Sequence, residues 1–330
     1  MTHIAVLGAG AWGTALAIHL SKRYPVTLWA RNAGHVSGMQ KARANPLYLG
    51  DFKFHRQLQV SNDLTTTLAK AKFTFFVVPS PGFRPLLRQA KALGYTGPIV
   101  WAQKGLEPET AKLPFEVMEE EFGATCSWGV LSGPSFAAEL VRGLPTAVTL
   151  ASQDIAFLES VSPLIHGDNL RVYSSSDVVG VVVGGALKNV MAIATGISDG
   201  LGFGNNARAA LITRGLAEMA RFGMKLGADP KTFMGLAGAG DLMLTCTGQY
   251  SRNREVGLQL SQGRPLMDIL QKLGHVAEGV NTAQEVMRRA KLLEVDMPIT
   301  REVYAVISQN KDVKVATMDL LGRQQTVEQV

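Results

Sequence analysis

Residues 4–13 read IAVLGAGAWG, and residues 14–29 continue as TALAIHLSKRYPVTLW. Ile4–Leu7 is a short apolar run that reads as a buried strand, Thr14–Lys22 as a helix and Val26–Trp29 as a second strand. Gly8, Gly10 and Gly13 form a GxGxxG loop between the first strand and the helix, which is the context that gives the motif meaning. Gly8 permits the tight turn. Gly10, lacking a Cβ, lets a pyrophosphate approach the backbone, and Gly13 lets helix and strand pack closely. The helix start offers free amides and the positive end of its dipole to phosphates. The stretch therefore implies a dinucleotide cofactor; the competing reading is a structural glycine turn in some other α/β protein.

The second strand runs into Ala30-Arg31-Asn32. NAD binders usually carry an acidic residue here to hold the ribose 2′-hydroxyl. This chain has Arg31, 31 − 13 = 18 residues after Gly13, with no acid adjacent. An arginine favours a 2′-phosphate, so NADPH is the expected cofactor, with NAD possible. Arg31 as a surface side chain lying over a strand end is the alternative.

Further strands are expected at Phe73–Val78, Ile99–Ala102, Trp128–Leu131, Thr146–Leu150 and Leu170–Tyr173, interleaved with helical patterns. That alternation predicts a parallel sheet with helices on both faces. Beyond Ser174-Ser175-Ser176 no convincing strand follows, and helices are expected at Asp177–Thr195, Ala207–Leu226, Arg252–Gln262, Thr282–Leu293 and Thr300–Gln309. The expected fold is an α/β N-terminal Rossmann-type doubly wound sheet plus an all-α C-terminal domain. The division is 1–175 for dinucleotide binding and 176–330 for substrate and catalysis.

Composition narrows the class. The 330 residues are 46% hydrophobic and 18% charged, which suits a globular chain of two domains. The net charge of +6 is spread along the chain, which suits anionic ligands and gives no basic run for nucleic acid. Two cysteines without CxxC spacing point to a reducing compartment, and the six scattered histidines give no metal-ligand spacing, so no metal is expected. The apolar start lacks a charged leader and is broken by glycines, so a cytoplasmic protein without stable membrane insertion is expected.

Between Val178 and Ile197 the only charged residue is Lys188. A lone ammonium on an apolar helix is costly unless paired or functional. Gly184 and Gly185 precede it by one turn, so its face is expected to leave room for a ligand. A buried ion pair and a snorkelling lysine are the structural alternatives.

Taken with its neighbours, this segment resembles glycerol-3-phosphate dehydrogenase of the bacterial type. The likeness is carried in order by GAGAWGTALA, VPS, WAQKGLE, SGPSFAAEL, GLPTAV, GGALKNVMAIATGISDGLGFGNNARAALITRGLAEM, GAGDLMLTCTGQYSRNREVG, AEGVNT and MPIT, nearly the whole chain. Ala11 stands where the family often has serine. The resemblance implies reversible reduction of dihydroxyacetone phosphate to sn-glycerol 3-phosphate by NAD(P)H, feeding glycerophospholipid synthesis, and a homodimer. It implies Lys188 as catalytic acid/base. It implies substrate contacts at Lys104, Gly133, Ser135, Lys188, Asp241, Ser251, Arg252 and Asn253. Cofactor contacts are implied at Gly8, Gly10, Ala11, Trp12, Gly13, Arg31, Lys104, Ala137, Arg252, Val276 and Glu278, with Asn189 and Thr245 supporting the site. Two alternatives remain: a Rossmann-plus-helical dehydrogenase of a 3-hydroxy acid, and a non-catalytic nicotinamide sensor. Ser251-Arg252-Asn253 also reads simply as an exposed loop with Ser251 as a helix N-cap.

Overall fold

The computed structural model describes residues 2–167, 169–274 and 277–324. The chain divides into two compact units, Met1–Gln103 with Phe115–Val178, and Lys104–Pro114 with Val179–Val330. Lys104–Pro114 thus clusters with the second unit, although it lies inside the 1–175 range expected for the first.

The first unit is built on one eight-stranded sheet: β1 (Ile4–Leu7), β2 (Val26–Trp29), β3 (Leu58–Ser61), β4 (Phe73–Phe76), β5 (Ile99–Trp101), β6 (Trp128–Ser132), β7 (Thr146–Ala151) and β8 (Leu170–Ser175). Between them run α1 (Ala11–Ser21), α2 (Ala33–Ala42), α3 (Leu64–Lys70), α4 (Ser80–Ala92), α5 (Pro114–Glu121), α6 (Ala137–Val141) and α7 (Ile155–Ile165). The strand order is β3-β2-β1-β4-β5-β6-β7-β8. The chain goes from β1 to β2 on one side and returns to β4 on the other, so the loop after β1 sits at the point where strand order reverses, where α/β sheets bind ligands. Ile4, Val6, Leu28, Phe75 and Val100 of the strands pack with Ala15, Leu16 and Leu20 of α1 in the core. Burying each of the larger side chains contributes about 1.5–3 kcal/mol.

Two details of the sheet differ from the sequence reading. β3 was not expected; it is a short edge strand, and its Leu-Gln-Val-Ser pattern carries little apolar signal. β7 pairs antiparallel with β6, while the other neighbouring pairs are parallel. The connection, residues 133–145, holds only the five-residue α6 and delivers the chain at the end where β6 finishes, so β7 runs back along β6.

The regular elements described in the second unit are helices, α8 (Val178–Gly200), α9 (Gly204–Lys225), α10 (Asp241–Thr247), α11 (Arg252–Ser261), α12 (Leu266–Leu273), α13 (Glu278–Leu293), α14 (Pro298–Gln309) and α15 (Val313–Leu321), while its 104–113 segment is irregular. A 3₁₀ turn at Pro230–Met234 and a π-helical turn at Leu236–Gly240 lead into α10. The short helices α10, α12 and α15 fall outside the sequence expectations. α8 is apolar and 23 residues long, enough by length to cross a bilayer, but 94% of its most apolar window is buried inside the protein, so it is a core helix. Glu218 of α9 is buried and accepts hydrogen bonds from the amides of Ile299 and Thr300 and the hydroxyl of Thr300, at 2.5, 3.2 and 3.1 Å. It thereby supplies the cap that the start of α14 lacks.

Glycines on α8 set how closely its neighbours approach. A Cβ on Gly184 would lie 2.4 Å from the Ala237 carbonyl oxygen. The expectation that Gly184 keeps space for a ligand is therefore corrected: the π-helical turn fills that space. A Cβ on Gly196 would meet the Arg254 carbonyl at 2.1 Å, and one on Gly257 of α11 would meet the Ile193 carbonyl at 2.1 Å. The α8–α11 crossing thus runs backbone against backbone. Gly257→Ala is expected to lower unfolding stability by about 1–3 kcal/mol, the cost of forcing a methyl into a closed contact. Urea unfolding measures it, and an unchanged midpoint would contradict this packing.

Candidate active site

In the first unit the glycine loop follows β1 directly. Gly8 has φ +118°, a conformation open to glycine, and a Cβ there would lie 2.2 Å from the Val77 carbonyl of the neighbouring strand's end. A Cβ on Gly13 would strike the Gly8 carbonyl at 2.0 Å. Gly10 is the N-cap of α1, with no side-chain cap, and the helix's first turn carries no acid. A Cβ on Gly10 would meet nothing within 4 Å. Uncapped amides beside open space, with no competing carboxylate, fit the pyrophosphate of a dinucleotide.

Ala11 and Trp12 open α1, and the Trp12 indole Nε1 donates to Ser135 Oγ at 3.2 Å. Ser135 and Gly133 lie in the loop after β6, and Ala137 begins α6. The loop after β6 is thereby tied to the first turn of α1. Arg31 is exposed two residues beyond β2, with Asn32 capping α2 through the His35 amide at 2.9 Å. Asn45 is a residue the sequence reading passed over. It is buried, and its Nδ2 donates to Ala9 O at 2.9 Å and Thr14 Oγ1 at 2.7 Å, bracing the glycine loop from 36 and 31 residues away. Nothing local to Asn45 advertises that role.

In the second unit the charged centre is Asp241, the first residue of α10 and 1% exposed. Lys188 Nζ donates to Asp241 Oδ1, and Lys104 Nζ donates to Oδ2 at 2.6 Å. Thr245 Oγ1 donates to the Asp241 carbonyl at 2.6 Å. The lysine that stood alone in the sequence is therefore in a buried ion pair. Two ammonium groups share one carboxylate, leaving 2 − 1 = +1 on the cluster. Burial alone would raise the Asp241 carboxyl, yet Lys104 and Lys188 together hold it below the ordinary range. Burial pulls Lys188 down to about 8, with Asp241 opposing and Lys104 assisting. Such a group can hold and release a proton near neutral pH.

A hydrogen-bond chain joins this centre to α11. Asn189, next to Lys188, donates from Nδ2 to the Lys104 carbonyl at 3.2 Å and accepts at Oδ1 from Asn253 Nδ2 at 3.0 Å. Asn253 Oδ1 in turn accepts from the Gly279 amide at 3.0 Å. Ser251 is buried and caps α11 by accepting from the Arg254 amide at 3.3 Å. Arg252, in the first turn, is exposed. Glu278 opens α13; burial pushes its carboxyl up to about 7, against the pull of Lys104, Lys188 and Arg252. Val276 lies outside the described residues. The structure thus gathers Lys104, Lys188, Asp241, Ser251, Asn253 and Glu278 in one unit, with Gly8, Gly10, Ala11, Trp12, Gly13, Arg31, Gly133, Ser135 and Ala137 in the other. Cys246 is fully buried and burial pushes its thiol up to about 12, so it is a neutral core side chain.

Comparison with known proteins agrees with this organisation. The family model for the NAD-dependent glycerol-3-phosphate dehydrogenase N-terminus matches residues 3–158, and that for the C-terminus matches residues 177–318. The chain is 61% identical over 325 residues to glycerol-3-phosphate dehydrogenase [NAD(P)+] of Methylobacillus flagellatus, covering 98% of this chain and 99% of that one. It is 52% identical over 322 residues to the protein of the same name from Nitrosomonas eutropha, covering 98% of each. The crystal structure of glycerol-3-phosphate dehydrogenase from Coxiella burnetii superposes with a TM-score of 0.95 at 41% identity, covering 98% of this chain and 99% of that one. With both halves matched and identity this high over the full length, the chain belongs to the NAD-dependent glycerol-3-phosphate dehydrogenase family.

Proposed function

We propose that this chain reduces dihydroxyacetone phosphate reversibly to sn-glycerol 3-phosphate with NAD(P)H, and that Lys188 is the general acid in reduction and the base in oxidation. The observation that carries the reading is the shared carboxylate: Asp241 holds Lys188 while Lys104 keeps the cluster cationic. The nicotinamide, when bound, supplies the hydride. Reduction places negative charge on the carbonyl oxygen, and an ammonium of lowered pKa stabilises that charge and then gives up its proton. Asp241 orients Lys188 and stays ionised, so the proton that moves is the lysine's. Ser251, Arg252 and Asn253 at the start of α11 take the substrate phosphate, for which a guanidinium at the positive end of a helix suits a dianion. Gly133 and Ser135 contribute further substrate contacts, and Ala137 and Glu278 further cofactor contacts. The working enzyme on this reading is a cytoplasmic homodimer serving glycerophospholipid synthesis, which rests on the family likeness.

NADPH is the preferred cofactor. What supports this is Arg31, exposed beyond β2 with no acidic residue beside it in the chain. Arg31→Asp is expected to move the ratio of kcat/KM values from NADPH toward NADH, because aspartate repels a 2′-phosphate and accepts from a 2′-hydroxyl. An unchanged ratio would mean that Arg31 does not read the adenosine ribose.

The activity itself is tested by following NADPH oxidation with dihydroxyacetone phosphate, unphosphorylated dihydroxyacetone and a 3-oxo acid. The phosphorylated ketone should be turned over best. Arg252→Ala should then lose roughly 10- to 100-fold in kcat/KM for it, the value of a charge-assisted bond to phosphate, while barely changing with the plain ketone. Preference for the 3-oxo acid would overturn the substrate assignment. A mutant that keeps the full preference for the phosphorylated ketone would move the phosphate site elsewhere.

A further inference from the structure

Asp199 lies in the last turn of α8, and its side chain is only 5% exposed. A carboxylate there faces the negative end of a 23-residue helix and has lost most of its water, two penalties that require cationic partners. Both of its oxygens have one. Arg254 Nε and Nη2 reach Oδ2 at 2.8 and 2.6 Å, and Arg208 Nε reaches Oδ1 at 2.7 Å. Arg208 comes from α9 and also donates to Asn205 Oδ1 at 3.2 Å. Arg254 belongs to the first turn of α11, one residue after Asn253 and two after Arg252.

The same stripe of α8 that carries Lys188 carries this contact. Lys188 and Asp199 are eleven residues apart, three helical turns, so they lie on one face about 16 Å apart along the axis. Between them, Asn189 holds the Asn253 side chain and Gly196 admits the Arg254 carbonyl without room for a Cβ. α11 therefore meets α8 along much of its length, at Asn189, at Ile193 and Gly196, at Asp199 and at Gly200. The glycine contacts set how closely the two helices approach, and the Asn189–Asn253 side-chain bond anchors the start of α11. The ion pair with Arg254 acts through a longer side chain, farther from the axis of α11, and so has the longest lever on rotation of α11 about that axis. That rotation decides where Arg252 is presented.

We infer that Asp199 is a positioning residue for the phosphate cradle: by clamping Arg254 to α8 it sets the rotation of the first turn of α11, and with it the placement of Arg252 relative to Lys188. The inference rests on the assignment of Ser251, Arg252 and Asn253 to the substrate phosphate. It makes the spacing between proton donor and phosphate grip a property of one rigid helix. It also separates the two arginines that share Asp199. Arg254 transmits position to the cradle, whereas Arg208 only helps to neutralise the carboxylate.

The test compares kcat/KM for dihydroxyacetone phosphate with that for dihydroxyacetone, as a ratio, in Asp199→Asn, Arg254→Gln and Arg208→Gln. Asp199→Asn and Arg254→Gln are expected to lower the ratio about tenfold, mostly through a higher KM for the phosphorylated ketone, on the scale of one impaired charge-assisted contact. Turnover of the plain ketone, which does not use the cradle, should stay near wild type. Arg208→Gln should lower thermal stability yet leave the ratio intact. Asp199→Glu and Arg254→Lys keep the charges and should recover part of the ratio; they also provide the reading if a neutral variant does not fold. A wild-type ratio in Asp199→Asn or Arg254→Gln overturns the inference. So does an equal fall in Arg208→Gln, because that marks general damage. Arg252→Ala separates the two layers of the argument. If it loses the ratio while Asp199→Asn keeps it, the cradle stands and only the positioning role falls; if it too keeps the ratio, the cradle assignment itself is wrong.

Discussion

One buried carboxylate holds two ammonium groups, and the second unit is arranged around that fact. Asp241 is almost entirely out of water. A buried anion costs several kcal/mol in lost hydration, and a buried lysine costs as much again, so neither tolerates loss of its partner. The pair is not a neutral one. Lys104 on the second oxygen leaves a surplus of positive charge, and that surplus is what a developing alkoxide or an incoming phosphate meets. Charge that would be a liability in an inert core is the basis of an anion-directed site here.

Holding three such groups together requires rigid supports. Lys188 stands on a long core helix. Asp241 starts a new helix directly after a π-helical turn, whose Ala237 carbonyl presses against Gly184, four residues before Lys188. Lys104 comes from a segment far earlier in the chain, and Asn189 holds its carbonyl. The same Asn189 holds the Asn253 side chain, so one side chain links the proton donor's helix to two separate segments of the chain. The glycines of α8 and α11 serve this purpose by removing side chains where backbones must touch. Their value lies in position and not in flexibility.

The sequence revealed what is local and concealed what is distant. GxGxxG between a strand and a helix is legible because all its parts lie within ten residues. Lys188 was legible as an anomaly, a single charge in an apolar helix, but its partner was not, because Asp241 lies 53 residues away. The resemblance to a family singled out Asp241, as a substrate contact, where periodicity had no access to it. Gly184 was misread for a similar reason: a missing side chain looks like empty space until the segment that fills it is seen. Asn45, bracing the glycine loop from 36 residues away, and Asp199, joined to Arg254 across 55, gave no local signal. The direction of β7 depended on which end of β6 the 133–145 connection returns to, and the residues of that connection do not show it.

The central claim is that Asp241 sets the proton affinity of the lysine that serves the ketone, and the pH dependence of kcat/KM for reduction of dihydroxyacetone phosphate tests it most directly. This profile reports groups of the free enzyme. A general acid must be protonated, so the rate should fall as pH rises through about 8 in the wild type. Asp241→Asn removes the charge that raises the Lys188 pKa while burial and Lys104 continue to lower it, so the inflection should move to lower pH. A profile that stays flat well above pH 8 in the wild type, or an inflection that does not move in Asp241→Asn, would contradict the account.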